Sequence, residues 1–531
     1  MAALLTFEQL AAIPGFRLWN PENSGNESSN SEYGRIPAKA ASGPGGDRAI
    51  RGSAIAPAPA LRAGSALRAP LLSLAREEGI FSVTLDSRNV EPGALFVALK
   101  GASDDGHRYV EAALRAGAGA AMVAEDRLAD PALGLADIAR RAGASLIVVE
   151  DTLRGLQDAA AAYLAGFPRL LKVSITGSAG KSTTKEICAA MMRAERETVC
   201  NEGNLNSETG LPLAVFGVRP RHEVCVFEMG MNRRGEIAEL ARVLKPHIAL
   251  ITNIGPAHIG MIGSIAGIVE EKKQIFSQFT GTETALIPED EPYREELAEG
   301  VLGKVSYYGP CNLEAWGGVR DRGLAGTEIT WGGKPVLFAI PGRHNVKNAL
   351  AAAAIARAAG LSDEALRQGL ASVRALGGRS EILRRASPGG GEMTVVRDCY
   401  NSNPAGAAEA LAFCEGLDWP GRRVYVLGSM LELGAFSAEA HEKLGEALAA
   451  SRAERVFFYG PETEAALGAF RRAGGGERAS LAPSLEALAG ALGGCLRGGD
   501  LLLLKGSRGC ALERVLDLLP APAREAGERR P

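Results

Sequence analysis

Between Leu170 and Gly255 the chain repeats one pattern: near-continuous aliphatic runs, "LLKVSIT", "EVCVFEMG" and "HIALITNIG", separated by segments of helical period. A strand with no polar face is what a parallel sheet requires when helices cover both its sides. The alternation with helical crossovers therefore predicts a doubly wound, mainly parallel sheet. "PGRHNVKNALAAAAIARAAG" starts after Pro-Gly and stops at Gly360, which reads as the helix that closes this domain. From Gly378 a further α/β unit follows, with strands at "EMTVVRD", "RRVYVLG", "RVFFYG" and "DLLLLKG". Upstream, "IFSVTLDSRNVEPGALFVALKG" alternates as a strand, a Pro-Gly turn and a second strand. A helix from about Tyr109 and the strands "AAMVA" and "SLIVVE" complete a smaller α/β domain.

The fold class is thus α/β in three domains. The expected bounds are 1–169 for a small N-terminal substrate domain, 170–376 for a central phosphate-loop domain, and 377–519 for a Rossmann-like C-terminal domain. Residues 17–72 are rich in Gly, Ser, Asn, Pro and Ala without sustained period and read as a disordered insertion, and 520–531 as a flexible tail. A length of 531 residues agrees with about three domains. The net charge of -3 supplies no global attraction to nucleic acid or to an anionic membrane, so any anion site must be local. The eight cysteines contain no C-x-x-C pair and point to neither a zinc cage nor a disulfide framework. Without a basic leader or an apolar run of spanning length, the expectation is a cytoplasmic monomer with no membrane insertion.

The chemistry begins at "SITGSAGKSTTKEI". A buried strand ends at Thr176, Gly177, Ser178, Ala179 and Gly180 form a turn, and Lys181, Ser182 and Thr183 open a helix. Backbone N–H groups and a helix N-terminus then face one point, as a polyphosphate requires. Lys181 would bridge phosphates and the Ser182 hydroxyl would sit on Mg²⁺. Glu228 ends its strand at the same sheet edge, where it is either a metal carboxylate or a solvated strand-end acid. His258 also follows a strand there, as a ligand or as a satisfied polar residue. Asn204, Asn206 and Ser207 precede a Gly-x-Pro turn and serve equally as turn formers or substrate contacts. In "VEEKKQIF" a solvated charged face is the default for Glu270, Glu271 and Lys273. Two polar clusters, Asp398, Tyr400 and Asn401 with Asn403, and Lys505 and Arg508 with Ser507, stand past strands and could wall a second side of a cleft.

Taken in order, the short loop, Glu228, His258 and "GRHNVKNALAA" resemble the Mur ligase family, ATP-dependent amide-forming enzymes of peptidoglycan synthesis. Further stretches sharpen the likeness: "DSRNVEPGALFVALKG", "GNLNSETGLPL", "EMGMNRRGEI", "DCYNSNP", "GSMLELG" and "KGSR". The resemblance implies ligation of D-alanyl-D-alanine to UDP-N-acetylmuramoyl-tripeptide through an acyl phosphate. It implies ATP and two Mg²⁺, with Glu228 and His258 at the metals and Lys272 where relatives carry a carbamylated lysine. It implies Asn345 and Asn348 on the adenine side, and Arg379 and Asp398 reaching the γ-phosphate and ribose. Ser87, Arg88, Lys100 and Gly101 become part of the UDP-sugar site. Another amide ligase of the superfamily, acting one step earlier or on folylpolyglutamate, is the alternative, and a phosphate-loop switch ATPase a more distant one.

Overall fold

The structure, a computed structural model, describes residues 3–19, 79–101 and 103–520. The chain divides into two compact units, Met1–Pro168 with Glu208–Val218, and Arg169–Ser207 with Arg219–Pro531.

In the first unit β1 (Arg17–Trp19), β2 (Ser82–Thr84), β3 (Ala94–Val97), β4 (Ala120–Ala124) and β5 (Ser145–Val149) form one sheet in the order β1-β5-β4-β3-β2. β2 to β5 are parallel, and β1 is antiparallel to β5. The expected insertion from residue 17 is corrected at its start. Arg17–Trp19 are a strand because Trp19 is buried in the apolar cluster with Phe96, Leu146 and Val148, under the Arg140 guanidinium at 5.5 Å. The rest of that segment up to 78, and the tail from 521, lie outside the described residues. Glu208–Val218 joins this unit through Tyr163, whose ring lies 5.5 Å from Phe216 and whose hydroxyl donates to the Val218 carbonyl at 2.6 Å.

The second unit holds three sheets. β6 (Leu171–Thr176), β7 (Thr198–Cys200), β8 (Val224–Glu228), β9 (Ile248–Ile251), β10 (Thr284–Pro288) and β11 (Lys304–Tyr308) are all parallel, ordered β11-β10-β9-β6-β8-β7. Their apolar runs are consumed by burial on both faces: Val173, Ile175, Val226 and Leu250 pack with Ile187, Met191, Ala352 and Ile355 of the flanking helices. Truncating one such side chain to Ala costs about 2–5 kcal/mol. β12 (Trp316–Asp321), β13 (Thr327–Trp331) and β14 (Lys334–Phe338) form an antiparallel meander whose inner face buries Trp331, its indole donating to Asp363 at 2.9 Å.

The last sheet runs β15 (Glu381–Ala386), β16 (Glu392–Asp398), β20 (Leu501–Lys505), β17 (Arg423–Gly428), β18 (Arg455–Tyr459) and β19 (Ala479–Ala482), with β15 antiparallel at its edge. β6 is central in its sheet, and the connection after it leaves for one side while β9 pairs on the other. Crevices outside the carboxyl ends of strands at such a reversal are where ligands of doubly wound sheets bind. No helix among the described residues is long and apolar enough to cross a membrane.

Candidate active site

Thr176 ends β6, and the chain turns through Gly177 at φ +148° and Gly180 at φ +80° into the helix Lys181–Arg193. Both positions require glycine for two reasons. The left-handed backbone disfavours any L side chain, and a Cβ would stand 1.8 Å from Thr252 Oγ1 at Gly177 and 2.2 Å from Asn348 Oδ1 at Gly180. The turn is clasped by the exit of β9. Asn253 accepts the Ala179 N–H at 2.9 Å through Oδ1 and the Ser178 N–H at 3.0 Å through its carbonyl. Ser178 Oγ both accepts from the Gly255 N–H and donates to its carbonyl, each at 2.8 Å, and Thr252 Oγ1 donates to Ala179 O at 2.6 Å. The cradle is thus held open before any ligand arrives.

Lys181 Nζ donates to Gly177 O at 2.9 Å, capping its own loop. Burial lowers its pKa from the ordinary lysine value; the Glu228 carboxylate opposes this, Arg379 adds to it and Glu432 opposes it. Ser182 is 4% exposed, and its Oγ accepts from Arg379 Nη2 at 2.9 Å.

Glu228 closes β8 and is 1% exposed. Asn201 grips its backbone on both sides, accepting the Glu228 N–H at 3.0 Å and donating to its carbonyl at 3.1 Å. Asn206 Nδ2 donates to Oε1, which leaves Oε2 buried without a partner among the described residues. An ionised carboxylate oxygen is not left bare in a protein without a charge to meet it. With the Ser182 hydroxyl it makes an all-oxygen donor pair that suits Mg²⁺, which takes its remaining ligands from phosphate and water. No three His, Cys, Asp or Glu among the described residues form a closed cage.

His258 begins a short helix in a left-handed backbone, φ 61°, with Nδ1 2.9 Å from Glu432 Oε2. This contact with His258 holds the Glu432 carboxyl below the usual carboxylate range. Lys272 lies on the helix Ile265–Lys273, 1% exposed, with Nζ 4.0 Å from the sulfur of Met231, a cavity-wall residue. Burial holds its pKa well below the usual lysine value, the Lys181 charge pushes the same way, and Glu271 opposes. Lys272 does not itself line the cavity.

The cavity encloses about 1100 Å³ between the carboxyl ends of β6, β8 and β9 and those of β16 and β20. Asp398 and Lys505 are register partners on β16 and β20, and their charges meet at 2.9 Å. Asp398 Oδ1 also accepts the Ser380 N–H, and Lys505 Nζ donates to the Asn401 carbonyl at 2.8 Å. The Arg379 guanidinium lies 4.0 Å over the Tyr400 ring and that of Arg508 5.8 Å from the same ring. Asn204, Asn206 and Ser207 line the same space. Asn345 and Asn348 sit under the loop: Asn348 touches Thr184 and accepts no Cβ at Gly180, while Asn345 donates to Pro341 O at 2.7 Å and to Ser380 Oγ at 3.2 Å.

The four N-terminal candidates belong to the first unit. Arg88 folds back onto Asp86, Nε and Nη2 reaching its carboxylate at 2.8 and 2.9 Å, and these bonds hold Asp86 at a pKa of about 2. Ser87 is half-buried beside it. The Lys100 backbone pairs with that of Asp105 in an isolated antiparallel β-bridge, and the Gly101 N–H donates to Asp104 O at 2.8 Å. Below them buried His107 is held by Asp105 at 2.6 Å and by the Ala124 N–H at 2.9 Å.

Sequence reasoning did not single out Asn201, Thr252, Asn253, His344, Ser380 or Glu432. Thr252 and Asn253 had a signal, since they follow β9 directly as Glu228 ends β8. Asn201, His344, Ser380 and Glu432 had none in local pattern.

Family models match most of the chain in three blocks: "Mur ligase family, catalytic domain" at 80–164, "Mur ligase middle domain" at 175–356 and "Mur ligase, glutamate ligase domain" at 378–508. A Treponema pallidum protein named UDP-N-acetylmuramoyl-tripeptide--D-alanyl-D-alanine ligase is 43% identical over 444 residues, covering 83% of this chain and 94% of the relative. A MurF crystal structure from Acinetobacter baumannii superposes with TM-score 0.73 at 26% identity, covering 85% of this chain and 98% of that one. The Thermotoga maritima MurF ligase in complex with ADP superposes with TM-score 0.68 at 28% identity, covering 82% and 96%.

Proposed function

The chain belongs to the Mur ligase family, and on that premise we propose how it joins D-alanyl-D-alanine to UDP-N-acetylmuramoyl-tripeptide with ATP. A carboxylate is a poor electrophile, so the terminal carboxylate of the tripeptide first takes the γ-phosphoryl group of ATP, giving an acyl phosphate and ADP. The dipeptide amine then attacks the acyl carbon, the amide bond forms and inorganic phosphate leaves. Bringing two anions together is the obstacle, and the protein answers it by placing fixed charge and dipoles. Lys181 and the N–H groups at the uncapped start of the helix Lys181–Arg193 hold the phosphates, since those of Ser178 and Ala179 are taken by Asn253. Arg379, already at the Ser182 hydroxyl, reaches the γ-phosphate from the C-terminal sheet, with Asp398 beside it for the ribose. Ser182 and Glu228 would hold Mg²⁺, and His258 with a carbamylated Lys272 would hold a second one; the metal would supply charge neutralisation on the phosphate oxygens. The depressed pKa of Lys272 favours this, because only an unprotonated amine adds CO₂. Ser87, Arg88, Lys100 and Gly101 take part in binding the UDP-sugar, and Asn204, Asn206, Ser207, Tyr400, Asn401, Lys505 and Arg508 the peptide portions. Asn345 and Asn348 support the adenine side by holding the loop.

The observation that carries this reading is the orphaned Glu228 Oε2 in one cavity with Lys181, Ser182 and Arg379. ADP release measured across a matrix of acceptor and donor substrates tests it. Release that requires both UDP-N-acetylmuramoyl-tripeptide and D-alanyl-D-alanine is expected; release independent of either overturns it.

A further inference from the structure

The dipeptide's α-amine, with a pKa of about 8, arrives as an ammonium and has to stand within about 3.5 Å of the acyl carbon. That carbon is formed beside Lys181 and Arg379, two cations that repel it. An anion is therefore needed on the acceptor's side of the cavity. Most wall carboxylates are already engaged. Asp398 meets Lys505, and Asp290 meets the Lys347 ammonium at 2.8 Å. Glu291 accepts the Ile254 N–H at 2.9 Å, and Glu289 takes the Asn312 amide. Glu409 stands by His344, at 3.8 Å. The carboxylates whose charge reaches Lys181 are Glu228 and Glu432, and Glu228 is buried and held by Asn206.

Glu432 also has a partner, His258 Nδ1 at 2.9 Å, but nearly half of its side chain stays exposed, and its setting is that of a built site. Its backbone is left-handed, φ 69°, which costs a non-glycine residue energy and persists only where the surroundings impose it. Three contacts impose it: the Met430 N–H donates to buried His441 Nε2 at 3.0 Å, the Leu431 N–H to Ser507 Oγ at 3.0 Å, and the Gly260 N–H to the Glu432 carbonyl at 3.2 Å. The carboxylate so placed faces the cavity half-exposed.

We propose that Glu432 is the anionic subsite that binds and orients the ammonium of the incoming dipeptide beside the acyl phosphate. This rests on the reaction given under Proposed function. The test compares wild type with Glu432→Gln in the full chain, reading KM for D-alanyl-D-alanine, ATP and the UDP-tripeptide, and inhibition by propionyl-D-alanine, which lacks the amine. Loss of one exposed ion pair should raise KM for D-alanyl-D-alanine by up to about fivefold, with the other two KM values and the inhibition constant of the des-amino analogue unchanged. Glu432→Asn, which keeps a residue tolerant of the left-handed backbone, carries the same comparison if Glu432→Gln fails to fold. An unchanged KM for the dipeptide, or equal shifts for dipeptide and analogue, overturns the proposal. A wild-type enzyme that forms no amide from D-alanyl-D-alanine overturns the reaction itself, which is a separate result.

Discussion

Replacing Lys181 with Met separates what this lysine does for catalysis from what it does for stability. Met conserves the unbranched apolar stem and deletes the ammonium. Burial puts the folded-state pKa of Lys181 below the unfolded value. The unfolded chain then binds the proton more tightly, so stability rises with pH between the two values, and wherever the folded lysine stays protonated its buried charge is carried at a cost. Deleting it removes that cost but also the bond to Gly177 O at 2.9 Å, whose net worth is about 1 kcal/mol. The two terms oppose each other, and the expected change in unfolding free energy is within about 1 kcal/mol of zero. Transition-state stabilisation has no such offset: one preorganised donor on developing phosphate charge is worth about 2.7–4 kcal/mol, or 10²–10³ in kcat. Denaturant unfolding and steady-state ADP release on the same preparation check both. Turnover near wild type, or a loss of activity that merely follows a loss of several kcal/mol in stability, would refute the reasoning.

Gly180→Ala forces a side chain into φ +80° against Asn348 Oδ1 at 2.2 Å; the backbone term alone is about 1–2 kcal/mol, and nucleotide titration should show at least a tenfold weaker ATP midpoint. Glu228→Gln keeps the shape but neutralises the orphaned oxygen, so the magnesium concentration for half-maximal ADP release should rise by about tenfold or more, while the unfolding midpoint stays put. Lys272→Ala should lose most activity and regain part of it with added short carboxylic acids; full activity without rescue would rule out a carbamate there. In wild type, removing CO₂ and bicarbonate should lower activity reversibly, and more so as pH falls, because protonation of Lys272 withdraws the free amine.

The central strands were legible because burial on both faces leaves them without a polar position: β6, β8 and β9 are continuous apolar runs. β12 to β14 were not, since a half-buried meander interrupted by Gly317 and Gly318 has no sustained period. β15, "EILRRA", is an antiparallel edge whose outer half is charged. In the site, residues that end strands or directly follow them were readable, which covers the loop, Glu228, Asp398 and Lys505. "VEEKKQIF" reads as a solvated face at Glu270, Glu271 and Lys273, and this is wrong at Glu271, buried at 5%, whereas Glu270 is exposed; Lys272 beside them is buried at 1%. Only the tertiary packing of that helix distinguishes the four charges. Glu432 was invisible for the same reason, because its place beside His258 is set by the approach of Gly260 to Gly434, a contact between distant stretches of chain.

The central claim is that ATP activates the tripeptide carboxylate rather than water. It is tested most directly by labelling that carboxylate with ¹⁸O and analysing the inorganic phosphate released with D-alanyl-D-alanine and ATP. Transfer through an acyl phosphate predicts one labelled oxygen in each phosphate. Phosphate that carries no label would mean that its new oxygen came from water and would contradict the account.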